Sequence, residues 1–133
     1  MTSLAAELEQ IVKALSARVT DATITVELED GRTISVPTAW YPRLLHATAK
    51  ERANYEIGEV GIIWPDVEAD FSIRGLLLGR KSGESPDCFR FWLDNRKKGK
   101  KVTVEQYLAQ RRQERHNFSG SRRQGKVTRM RKE

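Results

Sequence analysis

The stretch Trp64 to Gly79, WPDVEADFSIRGLLLG, most constrains what this chain can fold into. It reads as the end of a buried strand, an acidic elbow and a short apolar helix. The elbow carries Asp66, Glu68 and Asp70. Phe71, Ile73, Leu76, Leu77 and Leu78 then form the densest apolar cluster of the sequence. Asp70 is expected to cap that helix, accepting from the N–H groups of the turn it opens. An apolar helix this short needs a covering surface, so the preceding residues are expected to build a sheet. After Gly79 the chain leaves the core and turns basic.

The residues before Trp64 fit that expectation. Leu4, Leu8, Ile11, Val12 and Leu15 lie on one helical face, which predicts an N-terminal helix capped by Ser3. That helix can cover the sheet or pair with a second copy. From about Val19 to Leu28 the period becomes two, with Ile24, Val26 and Leu28 on one face. Asp30-Gly31 marks a hairpin. A two-residue loop would set Ile34 beside Glu27. A three-residue loop, Glu29-Asp30-Gly31, pairs Val26 with Ile34 and Ile24 with Val36, and only this register matches the apolar faces. The prediction is a type I turn with Gly31 left-handed in a bulge.

Pro37 ends that strand. A short helix is expected near Pro42, and a second after Thr48, whose spacing to Glu51 fits a capping box. Asn54 to Ile57 and Val60 to Trp64 read as further strands. The expected fold is α+β: a small antiparallel sheet of about four strands packed by short helices, with a basic helical or disordered C-terminal arm.

The run from Pro37 to Glu84 resembles a bacterial domain-of-unknown-function family. The resemblance rests on Pro37, Trp40, Pro42, Arg43, Leu44, Ala47, Thr48, Arg52, Gly61, Trp64, Asp70, Leu76, Leu77 and Gly79, and spans roughly residues 22–95. Val67-Glu68 stands where the family usually reads Leu-Asp. The resemblance implies a small α+β domain without established enzymatic activity. It also implies frequent encoding beside toxin-like genes, hence an antitoxin-like role, with some members carrying an appended helix-turn-helix.

Beyond the loop that follows Gly79, Ser85, Pro86 and Asp87 are suited to the cap, first position and first turn of another helix. Phe89, Trp92 and Leu93 give it an apolar stripe, and Gly99 stops it. Thr103 and Gln106 predict a further capping box. From His116 onward the sequence has almost nothing to bury and is expected to be disordered when free. The two helices allow a helix-turn-helix reading, but an arm that folds against phosphate is the more economical one. The expected organisation is an α+β domain over 1–97 and a basic arm over 98–133.

Charge divides along the same line. Residues 96–133 hold 14 Lys+Arg and 3 Asp+Glu, a net of +11, whereas residues 1–95 hold 10 and 15, a net of −5. An acidic body with a basic arm suits a protein that touches nucleic acid. The candidate contacts are Lys97, Lys98, Lys100, Lys101, Arg111, Arg112, Arg115, Arg122, Arg123, Lys126, Arg129 and Arg131. Phe118 among these cations also suits stacking on an unpaired RNA base.

Other chemistries find little support in the sequence. Asp66, Glu68 and Asp70 have calcium-like spacing, but Phe71 and Leu77 occupy the positions where an EF-hand needs glycine and a carboxylate. Gly75, Gly79, Lys81 and Ser82 lack phosphate-loop spacing. His46 and His116 stand near no evident nucleophile, and Cys88 reads as a packed side chain. No apolar run reaches membrane-spanning length, and the N-terminus lacks a signal-peptide pattern. The expectation is therefore a cytoplasmic, non-catalytic, antitoxin-like binding protein without cofactor or metal. Its expected partners are DNA or RNA and a toxin-like protein. The alternative is an accessory subunit of an RNA-containing nucleoprotein complex.

Overall fold

A computed structural model describes residues 12–117. The N-terminal helix expected from Leu4, Leu8 and Ile11 falls largely outside these residues, as does the tail from residue 118 onward. The chain divides into two compact units between Glu84 and Ser85.

The first unit contains two three-stranded antiparallel sheets, rather than one sheet of about four strands. The first sheet is a meander of β1 (Ala14–Val19), β2 (Thr23–Leu28) and β3 (Thr33–Pro37). Its central strand buries Ile24, Val26 and Leu28 on one face, as the period of two requires. Val26 pairs with Ile34 and Ile24 with Val36, the register set by the three-residue loop. Gly31 has φ +94°, and its N–H donates to the Leu28 carbonyl, so the left-handed position falls where the sequence put it. On the opposite face Thr25 and Ser35, which pair across the strands, share a 2.9 Å hydroxyl hydrogen bond.

The helical reading does not hold at Leu15. It lies in β1, where the register shifts between Ala14 and Ser16, and it is 61% exposed. Pairing β1 with β2 satisfies the second hydrogen-bonding edge of a buried strand, and this outweighs local helical propensity. Val19 belongs to β1 and pairs with Ile24. The intervening turn has no glycine: Thr20 Oγ1 accepts from the N–H groups of Ala22 and Thr23 at 3.2 and 3.0 Å.

After a 3₁₀ turn at Thr38–Trp40 come α1 (Pro42–Leu45) and α2 (Ala49–Ala53). Pro42 takes the first helical position. Both halves of the Thr48–Glu51 capping box form, at 2.8 and 3.1 Å. The second sheet contains β4 (Glu56–Ile57), β5 (Gly61–Trp64) and β6 (Ala69–Ser72) in that order.

The elbow also differs from expectation. Asp70 is not a helix cap; it lies within β6, opposite Ile63 on the exposed face. The alternation Ala69-in, Asp70-out, Phe71-in continues the sheet. The cap falls to Ser72, whose hydroxyl accepts from Gly75 N–H at 2.9 Å and opens α3 (Ile73–Leu77).

Aromatic rings hold this unit together. Tyr41 packs on Phe71, Phe71 on Trp64 and Trp64 on Tyr55, with centroids 5.1, 5.4 and 5.9 Å apart. Trp64 is fully buried, and its indole N–H donates to the Arg52 carbonyl at 3.0 Å.

Candidate nucleic-acid interface

The second unit begins with α4 (Pro86–Lys97). The Ser85 hydroxyl accepts from Cys88 N–H at 3.1 Å, Pro86 takes the first position and Asp87 lies in the first turn. Cys88 and Trp92 are buried. Helix α5 covers residues 104–117. Both bonds of the Thr103–Gln106 capping box start it, at 2.7 and 3.1 Å. It takes in His116 and Asn117, where the sequence suggests the start of a disordered tail.

The two helices form an antiparallel hairpin. Phe91 packs on Tyr107 with ring centroids 5.4 Å apart, and one turn further along Asp87 lies 3.8 Å from Arg111. These contacts at successive turns run in opposite chain directions along the two helices, as in an αα-hairpin.

The connection is pinned at both ends. Lys98 and Lys100 N–H donate to the Asn95 carbonyl, and Gly99 N–H donates to Arg96. Gly99 has φ +75°, which closes the helix C-terminus. This fixes the backbone from which Lys97, Lys98, Lys100 and Lys101 project, and all four are exposed. Cations at this end also suit the negative pole of α4.

The remaining candidates separate into groups. Arg112 and Arg115 are exposed on α5. Arg111 is half-buried and turned toward Asp87, so part of its charge is already met. Arg122, Arg123, Lys126, Arg129 and Arg131 lie outside the described residues. Arg90 and Arg96 belong to the same unit but were not among the candidates. Arg96 stacks over Trp92 at 5.1 Å, and Arg90 lines a groove of about 190 Å³ between the helices. That groove also holds Asp87, Asp94 and Glu114, so its lining is of mixed sign.

In the first unit, a cleft of about 390 Å³ follows β4, β5 and β6. Glu56, Ile63 and Asp70 form a row across its floor. The three elbow carboxylates do not converge. Asp66 accepts from Asn54, while Asp70 faces outward from β6. Among the described residues, no group of three or more His, Cys, Asp or Glu side chains is arranged to hold a metal ion. Nor is any helix among them long and apolar enough to cross a membrane.

Residues 14–82 match the family described as "Protein of unknown function (DUF2442)". The chain belongs to this family. The match takes in both sheets and ends at Ser82, so α4, α5 and their cations lie beyond it. A crystal structure of a protein of unknown function from Rhodospirillum rubrum ATCC 11170, at 2.75 Å resolution, is 26% identical. That similarity covers 56% of this chain and 95% of the other, with a TM-score of 0.48. A search of curated proteins found no match.

Proposed function

We propose that the protein is a non-catalytic, antitoxin-like binding protein of the cytoplasm whose basic C-terminal segment contacts nucleic acid. The placement of charge carries this reading. Residues 96–133 have a net charge of +11, and Lys97, Lys98, Lys100 and Lys101 stand exposed on a pinned turn. Ammonium groups at that density neutralise phosphates and release counterions, giving affinity without base reading. The acidic α+β unit supplies the protein-binding half. Its support is the resemblance to antitoxin-like proteins encoded beside toxin-like genes.

The test is a mobility-shift series on DNA and RNA with the full chain and with a variant carrying Gln at Lys97, Lys98, Lys100 and Lys101. The variant is expected to bind at least about tenfold more weakly at low salt. Unchanged affinity would remove the role given to this turn. Recovery of a protein-only complex with a small toxin supports the assembly half. Nuclease-sensitive particles would instead favour an accessory subunit of an RNA-containing complex.

A further inference from the structure

We infer that the C-terminal helical hairpin takes duplex DNA, through its phosphates, in preference to a single strand. The inference rests on the nucleic-acid reading above and narrows it.

A single-strand site needs a concave cationic groove and open aromatic faces on which bases stack. In the described part of this unit the groove is not cationic, and the rings that line it, Phe91 and Tyr107, pack on each other. Phe89 packs on Trp92, and Arg96 lies over Trp92. The groove between the helices carries Asp87, Asp94 and Glu114 against Arg90 and Arg111. Three carboxylates there would repel a threaded backbone.

The exposed cations lie outside that groove. Lys97, Lys98, Lys100 and Lys101 sit at the tip of the hairpin, and Arg112 and Arg115 on the exposed side of α5. A hydrogen-bonded turn carrying exposed lysines suits the regular phosphate ridges of a duplex. The B-form major groove is wide enough to admit a helix such as α5, whereas the A-form major groove is deep and narrow. Duplex DNA therefore fits better than duplex RNA.

The experiment is fluorescence anisotropy of the full chain with three labelled probes of equal length and mixed sequence: duplex DNA, single-stranded DNA and duplex RNA. Each is titrated at low and moderate salt. The expected result is duplex DNA bound at least about tenfold more tightly than either other probe. Single-stranded DNA or duplex RNA bound as tightly as duplex DNA, or more tightly, would overturn the inference and leave the polyanion reading standing. No binding to any probe at low salt would remove both.

Discussion

Arg43 and Glu84 join segments forty-one residues apart, the guanidinium donating through Nε and Nη2 to the carboxylate. Arg43 is buried, and its Nη1 also donates to the Val67 carbonyl at 2.9 Å. One side chain thus ties α1, the elbow after Trp64 and the end of the first unit. Replacing Arg43 with Met would leave the Glu84 carboxylate and the Val67 carbonyl without this donor. Breaking such a pair from one side costs roughly 3–5 kcal/mol. Chemical denaturation of Arg43→Met, Glu84→Gln and the double variant should show the double costing much less than the sum of the singles. Additive losses would show that the two residues act independently.

The reassignment of the helix cap can be checked directly. Ser72→Ala removes the acceptor for Gly75 N–H and should cost about 1 kcal/mol. Asp70→Ala, on the exposed face of β6, should change stability by no more than about 0.5 kcal/mol. The reverse order, measured by urea unfolding, would restore Asp70 as the cap.

Gly61 is fixed by close approach. A Cβ there would lie 2.2 Å from the Phe71 carbonyl oxygen, inside the β5–β6 pairing. Gly61→Ala should destabilise by about 1–3 kcal/mol, the usual cost of overpacking. At Gly58 the nearest atom would be 3.7 Å away, so Gly58→Ala should be far milder. Thermal melts of the two variants compare the positions.

Tyr41 gives an alkaline signature. Burial raises its hydroxyl pKa above the ordinary 10.0, and the hydroxyl donates to the Arg80 carbonyl at 2.7 Å. The folded state therefore holds this proton more tightly than the unfolded chain. Its contribution is fully present below pH 10.0 and is lost as pH rises through the higher folded value. Tyr41→Phe should flatten that part of the stability profile. It should also cost about 1 kcal/mol at neutral pH, the usual worth of one hydrogen bond.

Local chemistry was the part of this fold legible in the sequence. The β2–β3 register followed from apolar alternation and Asp30-Gly31, and the caps at Thr48, Ser85 and Thr103 followed from side-chain spacing. Strand β1 was obscured because Leu8, Ile11, Val12 and Leu15 also satisfy a helical period. Strand β6 was obscured because a four-residue alternation sits inside an acidic run with a ready capping residue. The Arg43–Glu84 tie has no local signature, since nothing near either residue specifies the other. In the C-terminal unit the exposed lysines could be read from sequence alone. The pairing of Phe91 with Tyr107 and of Arg111 with Asp87 could not, because it depends on how the two helices align.

The most direct test of the central claim is the salt dependence of duplex DNA affinity for the intact chain. If the basic segment neutralises about six phosphates, log affinity should fall against log salt with a slope near −5. That is a loss of roughly a thousandfold between about 50 and 200 mM. Affinity that is absent at low salt, or that stays level across the series, would contradict the account.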